Sequence, residues 1–352
     1  MKSLAIATLV FFSGFAHSEY VENLYVGRVN VPNQSSLSQL QGVRDASNQV
    51  LIKLTGDSEV IHMPVVSEVL LRPDDYVGTV GYRAVEESNG AKTVPSVGLE
   101  VNFSKVALDE FIRTNKLPIL PANRPLLLLW IIRDNRATGR EFVSQHTAPS
   151  IVQLAADKLE ERGIPFVFPI YDLQDRMALS ENNAWEFNAE MLVDASKRYD
   201  SDVIVLLRFY ETSSGEVRGS WLYQHAGRRK LGDDRSGSIS QFVSSSFDQI
   251  VDQVASYYAY IPQNENKDLV IEVDGVDTYA GHRLLLQKIQ EIELVESLQI
   301  STVRGSRINL AVQVEGEIDR FFTALLRSGH FAASRADPLA DGSTIHLNWI
   351  AQ

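Results

Sequence analysis

The chain contains no cysteine. That excludes disulfides, thiolate nucleophiles, iron–sulfur clusters and cysteine-ligated zinc. It also excludes the lipid-bearing cysteine that follows a bacterial lipoprotein signal. No apolar run after the first eighteen residues is long enough for a membrane-spanning helix, so none is expected in the remainder. Basic residues are in deficit, 33 Lys and Arg against 45 Asp and Glu, for a formal net charge of −12. A general nucleic-acid binder is disfavoured, because counterion release needs a basic face. Catalytic signatures are missing too. There is no Gly-x-Ser-x-Gly elbow, no Walker A loop and no Gly-x-Gly-x-x-Gly turn. His146, His225 and His282 fall in separate segments without metal-ligand spacing. No cofactor is implied.

What is present begins with the amino terminus. Lys2 precedes an apolar run over residues 4–15, and Ala16 and Ser18 supply small residues at the −3 and −1 positions of a signal-peptidase site. Residues 1–18 therefore read as a secretory signal cleaved before Glu19. Its loss removes Lys2 and no acid, so the mature chain is more negative still. A signal without disulfides or lipid anchor points to the periplasm of a Gram-negative bacterium. The 352 residues, 44% hydrophobic and 22% charged, are an ordinary globular balance with room for two or three domains.

The periodicity predicts three small α/β domains in series. The first, residues 19–116, has a strand at 24–31 and a helix from Ser35 or Ser36 to about Leu54. A hairpin over 76–103 turns at Ser88-Asn89-Gly90, and a helix follows at 105–114. Residues 117–125 hold three prolines and read as a stiff linker. The middle domain, 126–260, opens with the apolar run 126–132, a strand covered on both faces. Further strands are expected at 164–170, 202–210, 219–225 and 227–233. Helices are expected at 149–162, 185–199 and 239–257, giving a mixed sheet with helices on its faces. Residues 261–267 form a polar linker. The last domain, 268–352, follows β-α-β-β-α-β order, the split βαβ of ferredoxin-like folds. The first domain reads as a related unit lacking the last strand.

Four motifs carry a resemblance: Leu51-Ile52-Lys53-Leu54-Thr55-Gly56, Pro125-Leu126-Leu127-Leu128-Leu129-Trp130, Arg162-Gly163-Ile164-Pro165 followed by Phe168-Pro169-Ile170-Tyr171-Asp172-Leu173, and Ala195-Ser196-Lys197-Arg198-Tyr199-Asp200-Ser201-Asp202. Together they resemble a family of proteobacterial secreted proteins known as domain of unknown function 2066. The resemblance implies secretion but no activity, cofactor or site residue. By element order the middle domain also resembles the α/β amino-terminal domain of TolB and related envelope adaptor domains.

Two clusters hold candidate chemistry. Asp134 follows the first strand of the middle domain, and Asp172 and Asp175 follow the second. If those strands are parallel, the three carboxylates meet at the carboxyl edge of the sheet, where open α/β sheets bind ligands and where oxygen ligands hold Mg²⁺ or Ca²⁺. Aspartates at strand ends equally cap helices and start turns. Arg228-Arg229-Lys230, the densest basic run, follows a turn at Ala226-Gly227. It is either a solvated hairpin or a contact for an acidic partner. Trp185, Trp221 and Tyr223 offer an aromatic face or core packing. The favoured reading is a non-catalytic binding or adaptor module with an envelope protein as partner. The alternative is a metal-assisted hydrolase built on Asp134, Asp172 and Asp175.

Overall fold

The computed structural model describes residues 19–21, 23–83, 97–262, 266–292, 294–334 and 344–350. The expected signal segment 1–18, the expected turn at Ser88-Asn89-Gly90 and residues 263–265 of the expected second linker lie outside them. The fold is mixed α and β, with separate sheets in three successive parts of the chain.

The first part contains β1 (Glu19–Tyr20), β2 (Val26–Val31), α1 (Ser36–Thr55), α2 (Pro64–Leu71), β3 (Val77–Arg83), β4 (Val97–Phe103) and α3 (Lys105–Thr114). Helix α1 starts where the Ser35 hydroxyl accepts from the Ser38 N–H and stops at Gly56, whose φ of 74° is left-handed. It lies directly on β2: a Cβ at Gly27 would stand 2.7 Å from the Ala46 methyl. The antiparallel sheet has the order β2-β4-β3. Helix α2 was not expected, because its short Pro-initiated run shows no long amphipathic period.

The middle part holds β5 (Asn123–Arg124), β6 (Leu127–Asn135), β7 (Gly139–Phe142), α4 (Pro149–Arg162), β8 (Phe166–Val167), α5 (Leu173–Ala178), α6 (Glu181–Trp185), α7 (Ala189–Ser196), β9 (Val203–Glu211), β10 (Val217–His225), β11 (Arg228–Ser236) and α8 (Ile239–Tyr258). Its sheet runs β11-β10-β9-β6-β7, with β8 and β9 both parallel to β6. Leu127, Leu129 and Ile131 face α4 and α8, while Leu128, Trp130 and Ile132 pack with α6, α7 and the loops around them. That is why β6 reads as an unbroken apolar run. The helix expected over 185–199 starts later, as α7, because the Asn188 side chain caps it at the Met191 N–H, and α6, which ends at Trp185, was not expected.

The third part contains β12 (Asn266–Asp274), α9 (Tyr279–Gln290), β13 (Val295–Arg304), β14 (Arg307–Glu315), α10 (Ile318–Arg327), β15 (Phe331–Ala333) and β16 (Thr344–Trp349). Strand β14 inserts between β12 and β13, as in a split βαβ, and the sheet order is β13-β14-β12-β16-β15. The first part repeats this first-third-second strand order. The third part adds β15, which the sequence did not reveal because three residues carry no readable alternation. A helical crossover returns the chain in the direction of the strand it left. The strand after α10 is therefore β15, and β16 then reverses to run parallel to β12.

The Pro-rich stretch 117–125 is a buried junction and not an exposed spacer. Strand β5 pairs with β1, Ile119 bridges Tyr260, and the Leu120 N–H donates to the Leu54 carbonyl. Arg113 pairs with the buried Glu315 across to the third part.

Lys53 supplies a pH test of this junction. It is 8% exposed, and its ammonium donates to the Val26 carbonyl at 3.0 Å. Burial, then the charges of Arg124 and Arg28, bring it down from 10.5 to about 8. Below that value the cost of burying the charge is fully present. Between about 8 and 10.5 the unfolded chain binds more protons, so stability rises with pH. Urea titrations at pH 7.5 and pH 10 are expected to show a gain of roughly 2–4 kcal/mol from this group. Lys53→Met should lose most of that gain, and an equal gain in the variant would refute the assignment.

Candidate functional site

The acidic edge does not assemble as a metal site. Prolines 165 and 169 confine β8 to two residues, so the chain leaves the sheet early and turns at Tyr171, whose φ is 56°. Asp172 then becomes the N-cap of α5, accepting from the Asp175 N–H at 3.0 Å. Arg198 clamps it from the other side, with Nη1 at 2.7 Å from Oδ1 and Nη2 at 2.9 Å from Oδ2. This guanidinium holds the Asp172 carboxyl down at about 2. Asp175, 1% exposed, accepts from the Tyr171 N–H at 2.8 Å and from the Tyr199 hydroxyl, and pairs with Arg198 at 3.1 Å. Burial and then that hydrogen bond push the Tyr199 phenol up to about 12. Asp134 remains on β6, opposite Arg140 on one side and Tyr210 on the other. Among the described residues no three His, Cys, Asp or Glu side chains are placed to hold a metal. Asp134, Asp172 and Asp175 are thus corrected from candidate ligands. Two are tied to one arginine, and the third lies in a strand ladder.

The basic hairpin does border a cavity. Ala226 and Gly227, with φ of 47° and 75°, make the tight turn, a pair of left-handed residues suited to the twist of the flanking strands. The register sets His225 opposite Arg228, Gln224 opposite Arg229 and Tyr223 opposite Lys230. Strand alternation therefore puts the Arg228 and Lys230 side chains on the α8 face and that of Arg229 on the other. The sequence run of three cations becomes two plus one.

On the α8 face these two cations flank a cavity of about 250 Å³ lined also by Tyr223, His225, Arg229, Gln253, Ser256 and Tyr257. Arg228 lies 5.5 Å from the Tyr257 ring centroid, and Lys230 donates to the Gln253 side chain. The His225 ring is fixed by the Asp202 carbonyl at 3.0 Å on Nδ1 and the Tyr258 hydroxyl at 2.9 Å on Nε2. The Tyr223 hydroxyl is buried and without a hydrogen-bond partner among the described residues, and burial raises its pKa. A buried hydroxyl left unpaired is costly.

A larger concavity on the opposite face of the same sheet, about 650 Å³, was missed by the sequence reading. Its residues include Asp233 on β11 and Arg208, Arg218 and Ser220, which alternate with apolar residues or glycine along β9 and β10. That alternation was legible, but the pairing of strands that aligns it was not. Trp185 borders this concavity. Trp221 and Tyr223 lie in the core beneath α8, so the three aromatics do not share one face.

A family model described as domain of unknown function (DUF8605) matches residues 19–121, the first part and most of the junction. It is not the 2066 family of the motif resemblance. No curated protein matches the chain. Among solved structures, a competence-damaged protein (CinA) superfamily protein from Escherichia coli is similar at 14% identity and a TM-score of 0.24, over 43% of this chain and 86% of its own. A structure described only as an uncharacterized protein is similar at 11% identity and a TM-score of 0.18, over 39% and 93% of the two chains. At those scores neither likeness carries an argument about activity.

Proposed function

We propose that this chain is a secreted, non-catalytic binding module of a Gram-negative cell envelope, and that it engages an acidic protein partner at the β10–β11 hairpin. The observation that carries the reading is the convergence of Arg228 and Lys230 with the unpartnered Tyr223 hydroxyl around one cavity at an open sheet edge. On a chain of net charge −12 this hairpin is a local concentration of positive charge, which steers and orients an acidic surface. Strand β11 leaves its outer main-chain row unpaired among the described residues, so an extended partner segment can add to the edge while its carboxylates reach the cations. Residues 1–18 supply the export signal in this reading. No helix among the described residues is long and apolar enough to cross a membrane.

The test is photo-crosslinking in cells from a reactive residue at Ser256, which is exposed on α8 and lines the hairpin cavity. One dominant acidic envelope protein is expected. The adduct should vanish in the Arg228→Ala/Lys230→Ala double variant and persist in Arg218→Ala, on the opposite face of the sheet. An equal adduct from position 279, where Tyr279 is 80% exposed in the third part, would overturn the hairpin as the contact.

A further inference from the structure

The outer face of the middle sheet changes character along its strands. The register aligns Leu231, Leu222, Leu206 and Trp130 in one row across β11, β10, β9 and β6. The next row is Asp233, Ser220, Arg208 and Ile132, and the one after it Arg235, Arg218, Tyr210 and Asp134. Helices α6 and α7 pack over the apolar row at β6 and β9. They leave the polar rows as the floor of the 650 Å³ groove, with Trp185 at its wall.

The positive charge in this groove is incompletely answered. The Arg208 guanidinium donates to the Trp185 carbonyl and lies 4.2 Å from the Phe187 ring centroid, yet it joins no ion pair among the described residues. Burial lowers its pKa, with Asp233 acting against the shift. Arg235, on the exposed edge strand, joins none either, whereas Arg218 is paired with Glu216 at 2.7 Å. Between the two unpaired arginines stand short hydrogen-bonding groups: the Ser220 hydroxyl donates to Asp233 Oδ1 at 2.7 Å. The ring open to a ligand is Tyr210, 40% exposed, since Arg140 and Arg208 already lie over Trp185 at 4.9 and 5.7 Å from its ring centroid.

We propose that this groove binds a carboxylated sugar, its carboxylate held by Arg208 and Arg235, its hydroxyls by Ser220 and Asp233, and a ring face laid against Tyr210. A planar guanidinium matches a carboxylate through paired N–H donors. The lining Asp233 and Asp234 disfavour a polyphosphate, whose several charges would meet them, more than a single carboxylate seated on the arginines. A peptide strand finds little on the floor, because β9 and β10 are paired on both sides and their main-chain groups are spent in ladders. This site is independent of the hairpin cavity, which lies on the other face.

The experiment is isothermal titration of the signal-free chain with trigalacturonate, with maltotriose as the neutral ring control and triglutamate as the acidic control without rings. Trigalacturonate is expected to bind at least about tenfold more tightly than either control. Arg208→Met and Arg235→Ala should each weaken it by about tenfold or more. Arg235 is exposed, so its variant keeps the test valid even where Arg208→Met fails to fold. Equal binding of triglutamate would assign an acidic peptide and overturn the proposal. So would an absence of trigalacturonate binding at millimolar concentration, or binding unchanged in Arg235→Ala.

Discussion

Replacing Arg124 by Met is expected to remove about 3–5 kcal/mol of stability, more than any other single change considered. Arg124 is fully buried. Its Nη1 donates to the carbonyls of Arg162 and Gly163 at 2.8 and 2.9 Å, Nη2 to those of Lys53 and Leu120 at 2.6 and 3.3 Å, and Nε to Pro121 at 3.1 Å. Those carbonyls belong to the end of α1, the end of α4 and the Pro-rich stretch, so one guanidinium satisfies the orphan acceptors of two helix termini and the segment between them. Met fills much of the volume and supplies no donor, which isolates the hydrogen bonds from packing. Arg124→Lys should recover little, because an ammonium cannot reproduce the planar fork. The check is urea unfolding followed by far-UV circular dichroism. A loss below about 1 kcal/mol would show that water or rearrangement satisfies those carbonyls as well.

The second large effect is expected at Arg162, 1% exposed at the end of α4. It donates to Asp248 Oδ1 at 2.5 Å, to Asp252 Oδ1 at 2.8 Å and to the Gly56 carbonyl at 2.7 Å. It thereby joins α4 to α8 and to the turn after α1. Arg162→Met should cost about 2–4 kcal/mol. The effect is smaller than at Arg124 because both aspartates keep other partners. Lys158 remains 3.0 Å from Asp248, and Ser58 still donates to Asp252 from its N–H at 3.2 Å and its hydroxyl at 2.7 Å. Removing those partners as well, in Arg162→Met/Lys158→Met, should exceed the sum of the two single losses, since each single variant leaves the other cation to compensate. Simple additivity in the urea midpoints would refute the shared network.

The elements that could be read in advance are those whose signal is local. Ser35 and Ser104 cap the helices they were expected to open, and Gly56 and Gly163 stop α1 and α4 in left-handed conformation. The apolar run of β6 and the stripe of α8 stand where periodicity puts them. Elements that escaped are short or lack a period: α2, α5, β7 and β15. The later start of the helix expected over 185–199 escaped because Asn188 signals a cap only to a reader who already suspects a break.

The candidate sites divide the same way. That Asp172 and Asp175 lie together after a strand is a matter of spacing, and spacing was readable. Whether they face a ligand or an arginine depends on Arg198, more than twenty residues on and brought back by the fold of α7 against α5. Three adjacent cations were visible at Arg228, Arg229 and Lys230, but only the pairing with β10 shows that they border one cavity with Tyr223 and which two of them lie on the α8 face.

Local chemistry along the chain determined the helix starts and stops, the buried strand at β6, the tight turn at Ala226-Gly227 and the absence of every cysteine-dependent function. Tertiary structure decided the rest: that the Pro-rich stretch is buried around Arg124, that β16 runs parallel to β12, that the acidic edge is closed by Arg198, and that Arg208 and Arg235 face one groove. The physical reason is range. Caps, turns and periodicity act over a few residues, whereas the partner of a buried charge is chosen by which distant segment packing brings within hydrogen-bond reach.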